Sequence, residues 1–406
     1  MKKGQEVLER DISLLNRQQL LPAIFSIAQK EGYPIAFYRS PLSNEFNLIL
    51  SFKLTLTLKK FELQELKEGF AFAPYNYGQE NGHFIEADLR ISFDFNETLV
   101  NWDESNSELT NKIETLSHEI YEELGEIFEK PLSHERLSEQ YESDYIKLVE
   151  NCKEAINDGF FEKVVPARFK DIELGDSFNL MSLLDDLTDA YPNAFVSFVS
   201  IPEVGSWIGA TPELLIEREK NIFRTVALAA TQRFDPDLDI TDTTWNQKEI
   251  EEQAMVSRYI INCFKKIRLR DFHEKGPETI KAGNLLHLKT SFEVDMEATK
   301  FPELASVMLD LLHPTSAVAG MPKDPAREFL KIEENLNRSF YSGFLGPVNL
   351  DDRSSLYVNL RCMEINAEKA RLYAGAGVTA HSNPQKEFDE TEMKFNTLLN
   401  ILNQAQ

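Results

Sequence analysis

Two neighbouring stretches, Gly205–Arg218 (GSWIGATPELLIER) and Ile222–Ala230 (IFRTVALAA), decide the fold class. Both are rich in β-branched and aromatic residues and a short polar turn separates them, so they read as a hairpin-like pair of strands. Upstream, the strand-like runs KVVPARF (163–169) and AFVSFVSI (194–201) bracket SLLDDLTDAY (182–191), whose apolar residues recur at helical spacing. Before these, YIKLVENCKEAIN (145–157) also has a helical period, and Asp158-Gly159 ends it. Downstream, helices are expected over Trp245 to Phe264 and Glu387 to Leu402. Nearer the N-terminus a helical pattern over Glu6 to Lys30 gives way to IAFYR, FNLILSF, FAFAPY and LRISFDF, all strand-like. The segment from Asn96 to Asp144 is dense in Glu, Ser and Asn, with a helical patch IETLSHEIYEELGEIF. It reads as a surface connection or an exposed helix with a solvated acidic face. Strands and helices mixed in this way indicate an α/β or α+β fold.

The bulk composition narrows the function. The chain has 406 residues, 42% hydrophobic and 27% charged, which is enough to bury a substantial core. A formal net charge of -24 argues against a general affinity for nucleic acid or an anionic membrane surface. An anionic metabolite would have to be met by a local cluster of Lys, Arg, backbone amides or a metal. Three cysteines (Cys152, Cys263, Cys362) without a Cys-x-x-Cys pair indicate a reducing compartment and buried thiols. Neither a secretory core at the N-terminus nor an apolar run of membrane-spanning length is evident, so a cytoplasmic location is expected.

Several residues have chemistry beyond packing. Glu249 with Glu252, and Glu387 with Glu390, are carboxylates three residues apart on expected short helices, so each pair shares a helical face and can point into a cleft. Magnesium takes such oxygen ligands, although acidic pairs on helices are more often solvated. Lys163, on a buried-looking strand, needs either a partner or a route to water, because burial disfavours its charged form. Glu213 follows a Gly-Ala-Thr-Pro turn among apolar residues, a setting for a carboxyl of raised pKa or for a turn cap. Arg361 is expected inside the strand LYVNLRCMEI, where an arginine calls for an anionic partner. GAGVTAHSNP (375–384) lets backbone approach an anion or simply turns. His287 and His313, taken singly, read as structural. No nucleotide-binding, serine-hydrolase or zinc-protease signature is present.

In order, the motifs KVVPAR, GATPELL, VALAATQ, KEIEEQAMV, LLHLKTSF, HPTSAVAG, YSGFLGPV, LRCMEI, LYAGAGV and EFDETEMK make the chain resemble the chorismate-utilising enzymes from about Tyr145 to the C-terminus. The resemblance implies a two-layered fold of β-sheets flanked by helices. It divides the chain into a variable first part, 1–142, and a chorismate-binding region, 143–406, packed as one unit. A lysine at Lys163 is similar to the members that use water as nucleophile, whereas anthranilate synthases commonly have Gln there. Ala229 stands where aminodeoxychorismate synthases often have a covalent lysine. Ala317 matches the isochorismate synthases, since salicylate-forming members tend to have Thr.

Carried over residue by residue, the resemblance implies that Lys163 deprotonates water attacking C2 of chorismate and that Glu213 protonates the departing 4-hydroxyl. Glu252 and Glu390 would hold Mg²⁺, with Glu249 and Glu387 behind them. Arg361, Tyr373 and the backbone at Gly375 would take the enolpyruvyl carboxylate. His287 would face the ring, Lys394 would lie beside the metal-bound carboxylate, and the turn at Ala230 and Thr231 would touch substrate. The expected function is therefore an isochorismate synthase with Mg²⁺ and no organic cofactor, acting as a monomer and serving menaquinone biosynthesis. The alternatives are a salicylate synthase, an anthranilate-type amination subunit, and an inactive chorismate binder. Two departures stand out. Ala230 replaces the usual Gly, and Glu251 and Gln253 flank Glu252 where many isochorismate synthases have His.

Overall fold

The computed structural model describes residues 11–402 except 95–96, 125–141, 176–177, 235–238, 283–284 and 367–368. Two nine-stranded antiparallel sheets face one another, with helices on both outer faces. In the first sheet the strands run Thr98–Asn101, Leu89–Phe93, Phe46–Leu50, Ile35–Arg39, Phe195–Ile201, Gly205–Thr211, Cys362–Ile365, Lys369–Gly375 and Ala167–Glu173 from edge to edge. The second sheet runs His273–Ala282, Leu285–Asp295, Ile222–Arg233, Leu214–Glu219, Arg353–Val358, Phe344–Val348, Gly69–Ala73, Gly82–Glu86 and Leu56–Leu58. Strands from the first hundred residues contribute to both sheets, so the N-terminal portion completes the sheets begun by the rest of the chain.

Alternation along the strands explains the layering. In Ile35–Arg39, Phe37 points outward under helix Arg17–Glu31, while Ala36 and Tyr38 point inward to the second sheet. Every residue of that strand is buried because both faces are covered. Aromatic stacks join the sheets: Phe195 of the first lies on Tyr357 of the second, with ring centroids 4.3 Å apart. Helices Arg17–Glu31, Ser107–Glu123, Leu180–Ala190 and Pro384–Leu402 cover the first sheet. Helices Gln247–Lys266 and Leu304–Leu312 cover the second. All three cysteines are buried, and none is disulfide-bonded. Among the described residues no helix is long and apolar enough to cross a membrane.

Several local expectations change. The first long helix starts at Arg17, where Asn16 caps it through the Gln19 amide at 3.0 Å, so only part of the Glu6–Lys30 pattern is helical; residues 1–10 lie outside the described residues. The acidic segment is not simply solvated, since helix Ser107–Glu123 buries Leu109, Ile113, Leu116 and Ile120. The rest of its helical patch, from Gly125, lies outside the described residues. The helices bearing the glutamate pairs are long, 20 and 19 residues. Most consequentially, Gly205–Arg218 is not one arm of a hairpin. It is two strands, Gly205–Thr211 in the first sheet and Leu214–Glu219 in the second, and only the latter pairs with Ile222–Arg233. Pro212 lacks an amide and ends the first strand, and the chain crosses between sheets at Pro212-Glu213.

Arg361 is likewise not inside a strand. The chain returns from the second sheet (Arg353–Val358) to the first (Cys362–Ile365) through 359–361, and Arg361 has φ +49°. The two crossovers lie side by side. Thr211 Oγ1 donates to the Val358 carbonyl at 2.6 Å, the Val358 amide to the Glu213 carbonyl at 2.9 Å, and the Ala210 amide to the Arg361 carbonyl at 3.0 Å. Gly209 permits this approach: a Cβ there would sit 2.8 Å from Cys362 Cβ and 3.0 Å from the Arg361 carbonyl. Gly209→Ala is therefore expected to cost roughly 1–3 kcal/mol, the usual penalty of overpacking. Urea unfolding checks this, and an unchanged midpoint would show that the crossovers are not tightly packed.

Candidate active site

The crossovers open onto a pocket of about 340 Å³, within the range of small-molecule sites. Glu213, Ala230, Thr231, Glu249, Glu252, His287, Ala317, Arg361, Tyr373, Gly375, Glu390 and Lys394 all line it. Lys163 and Glu387 stand directly behind. A Cβ on Gly377, another lining residue, would come within 2.9 Å of Lys163 Cε and 3.1 Å of Glu252 Oε1. Gly377 thus admits the lysine to the site, a role that sequence inspection had spread over a glycine-rich run. Reading the sequence also passed over Tyr341, Lys248, Lys386 and Thr315. Tyr341 lines the pocket from the segment before strand Phe344–Val348; it opens the motif YSGFLGPV, but nothing in that run marks its tyrosine as facing a site.

Lys163 is 2% exposed, which removes the route to water, and its Nζ lies 2.7 Å from Glu252 Oε1. Burial pushes the Glu252 carboxyl up, but the charge and hydrogen bond of Lys163 outweigh it, and with Lys394 and Lys248 they hold it below its ordinary value. Glu213, 9% exposed, behaves oppositely. Burial raises its pKa to about 7, against the hydrogen bond from Thr315 Oγ1 (3.4 Å) and the charges of Lys163, Lys394 and Arg361. A proton is therefore available on Glu213 near neutral pH, which the turn-cap reading would not require.

The two acidic helices converge as their spacing implied, with unequal roles. Glu249 completes a capping box at the start of helix Gln247–Lys266: it accepts from the Asn246 amide (2.8 Å) and from Gln232 Nε2 (2.8 Å). Glu387 is buried, with Oε1 on Lys248 Nζ at 3.1 Å. Burial lifts its pKa and Lys248 opposes that lift. Glu390 meets Lys394 Nζ at 2.7 Å, and the same ammonium donates to the Gly375 carbonyl at 2.7 Å. Gln253 is buried and donates to the Ala227 carbonyl (3.2 Å) and to Thr290 Oγ1 (2.9 Å), pinning the helix to the second sheet. Gln253 thus anchors the helix and is not among the residues lining the pocket.

The anion side of the pocket is built on strain. Arg361 keeps a positive φ, and its Nη1 is buried without a hydrogen-bond partner. A buried guanidinium N–H left unpaired is costly, and an anionic ligand is what it lacks. Burial also lowers the Arg361 pKa, opposed by nearby groups that include Glu390 and Glu213. Tyr373 sits between Tyr341 and Trp207 in a stack, with centroid spacings of 5.3 and 5.5 Å, and its hydroxyl is 3.5 Å from Glu364. The ring thus forms a wall of the pocket while its hydroxyl is turned to Glu364. His287 Nδ1 lies 2.8 Å from the Ala230 carbonyl, which can only accept, so Nδ1 carries the proton. Burial lowers the ring pKa to about 4, against that hydrogen bond, so the ring is neutral and Nε2 is left as an acceptor. His313 lies elsewhere: Nε2 is 3.2 Å from the Tyr75 carbonyl, and burial takes its pKa down to about 3.

With this geometry in place, comparison with known proteins identifies the family. A family model described as a chorismate binding enzyme matches residues 86–403. The chain belongs to the chorismate-binding enzymes. Among relatives, isochorismate synthase EntC of Escherichia coli K12 is 29% identical over 246 residues, 59% of this chain and 62% of that protein. Isochorismate synthase DhbC of Bacillus subtilis is 30% identical over 271 residues, 64% of this chain and 67% of that protein. The match thus spans about three fifths to two thirds of these relatives. The solved structure of MenF, the menaquinone-specific isochorismate synthase from Escherichia coli, superposes with a TM-score of 0.76 at 21% identity. It covers 96% of this chain and 93% of that one, so the two share a fold.

The departure at Ala230 has a backbone consequence. Ala230 adopts φ +59° at a register shift between Ala229 and Gln232, a conformation that glycine enters freely and an L-residue resists. Ala230→Gly is expected to stabilise the protein by about 0.5–1 kcal/mol, the left-handed penalty less the added chain entropy of glycine. Thermal unfolding tests this, and a lower melting temperature would show that the alanine methyl contributes packing that exceeds its strain.

Proposed function

We propose that this chain is an isochorismate synthase, converting chorismate to isochorismate with Mg²⁺. The observation that carries the reading is the opposition of Lys163, a buried amine, to Glu213, a buried carboxyl with a pKa of about 7, around one pocket. Hydroxyl transposition needs such a pair: a base to take a proton from water and an acid to give one to the leaving hydroxyl. In the forward direction the lysine amine takes the proton of a water as its oxygen bonds to C2. The ring double bonds shift, the C4–O bond breaks, and the Glu213 proton goes to the departing oxygen as water. Atoms and charge balance when the ammonium and carboxylate so formed return to their starting states.

Glu252 and Glu390, from separate helices, are the residues that would hold the ion. They fit magnesium as oxygen donors, which needs only one or two protein carboxylates when water and substrate supply the rest. Among the described residues there is no group of three or more His, Cys, Asp or Glu that could hold a metal ion by itself. Bound there, the ion would hold the substrate's ring carboxylate and take over the charge of Glu252 that otherwise stays with the Lys163 ammonium. Arg361, with its unpartnered Nη1, suits the second carboxylate. His287 Nε2 is an acceptor for a ring hydroxyl, and the Ala317 methyl leaves that side of the pocket apolar. The same cations answer the charge problem of an acidic protein that binds a dianion.

Purified protein incubated with chorismate, with and without Mg²⁺, tests the reading by chromatography of products and a pyruvate assay. Isochorismate without pyruvate is expected, only with the ion, and kcat should fall as pH rises through about 7 and Glu213 loses its proton. Lys163→Ala should abolish turnover while leaving chorismate binding largely intact. Salicylate with pyruvate would place the enzyme in the salicylate-forming branch. Unchanged turnover in Lys163→Ala would remove the lysine from the chemistry.

A further inference from the structure

Behind the catalytic strand lies an ion pair that takes no part in the chemistry above. Arg338 and Glu334 are both buried, and Arg338 Nε and Nη2 donate to the two Glu334 carboxylate oxygens at 2.6 Å each. The remaining hydrogen bonds of the two side chains all go to backbone groups. Nη2 also donates to the Val165 carbonyl (2.6 Å), Nη1 donates to the Val318 carbonyl (2.8 Å), and Glu334 Oε2 accepts from the Ala167 amide (2.8 Å). The Tyr75 ring lies 4.4 Å from the guanidinium carbon.

The backbone groups it holds are the ones that matter for the pocket. Val165 and Val318 both line it. Val165 is two residues from Lys163, and Val318 is three from Thr315, whose hydroxyl reaches Glu213. The two segments pair through a two-residue ladder, Val164 with Gly320 and Lys163 with Met321, flanked by one bond on each side, from the Glu162 amide to the Met321 carbonyl (2.7 Å) and from the Val165 amide to the Ala319 carbonyl (3.1 Å). Beyond that short ladder, the guanidinium fork ties the same two segments together on the pocket side, through the Val165 and Val318 carbonyls. A planar group with donors in fixed directions sets both carbonyls at once, which a lysine cannot do. Stability alone is a poor reason for the pair, because a buried ion pair is often replaced by apolar residues without loss.

We propose that Glu334–Arg338 is a positioning pair for the reaction: one guanidinium fixes the strand carrying Lys163 against the loop carrying Thr315 and Ala317, and so aligns base with acid. The proposal rests on the isochorismate synthase reading. It predicts that loss of the fork slows the chemical step while chorismate, held by Arg361 and the groups across the pocket, binds as before.

The test is steady-state kinetics on the paired exchange Glu334→Leu with Arg338→Met, an apolar replacement expected to fold, and on Arg338→Lys. Leu183→Val, in the core under helix Leu180–Ala190 and away from the pocket, serves as the destabilised control. Circular dichroism and thermal unfolding establish how much of each variant is folded. Per folded molecule, kcat should drop about tenfold to a hundredfold in both pair variants, as for a small misplacement of reacting groups. KM for chorismate should stay within about threefold, because the loss lies in the transition state. The control should lose stability and keep kcat. If either folded pair variant keeps kcat within about threefold of an active wild type, the positioning role is overturned and the function stands. A wild type that does not turn over chorismate would instead sink the functional reading, and the proposal with it.

Discussion

The structure hangs on three hydrogen bonds between two passages of chain. Where the chain leaves the first sheet at Pro212-Glu213 and where it returns through 359–361, the bonds Thr211–Val358, Val358–Glu213 and Ala210–Arg361 lock the crossovers together. Because neighbouring strands cross at the same place, the facing sheets are held at one spacing and backbone groups at the crossing pair with one another. The residues at the two turning points, Glu213 and Arg361, are thereby presented to the same pocket from a frame that neither side chain controls. A carboxyl of raised pKa and an arginine with an unpartnered Nη1 are thus positioned by the same bonds that unite the sheets.

Charge is managed locally in a chain whose total is strongly negative. Three carboxylates at the pocket have a lysine on them: Lys163 on Glu252, Lys248 on Glu387 and Lys394 on Glu390. Glu213 has none in contact: Lys163, Lys394 and Arg361 act on it from a distance, and burial prevails. That difference divides the acidic residues into those suited to hold a cation and one suited to hold a proton. The spacing of the glutamates along the chain gives no hint of it.

How much of this was legible in the sequence depended on whether the signal was local. Lys163, Glu213, Glu252, Glu390 and Arg361 lie in motifs, and the structure brings them around one pocket. Most strands were also legible, where both sheet faces are buried and the run is continuously apolar, but the half-exposed strand Thr98–Asn101 lies inside the segment that reads as a surface connection. The crossovers were not: GSWIGATPELLIER reads as one strand, since nothing but Pro212 marks the change of sheet, and LYVNLRCMEI hides a left-handed residue that no pattern requires at an arginine. Tyr341 and the Glu334–Arg338 pair escaped because their roles depend on contacts far apart in sequence, such as Arg338 with Val165. The absence of glycine at position 230 was noticed, but its cost became visible only with the φ of +59°.

The central claim is that the crossing of the sheets holds the Glu213 carboxyl partly protonated near neutral pH. Infrared difference titration of the protein reports it directly, using Glu213→Gln to assign the band. A protonated-carboxyl stretch that is absent in the variant and titrates near pH 7 is the predicted result. A Glu213 band that titrates in the ordinary carboxylate range, about 4–5, would contradict the account and leave the pocket without its acid.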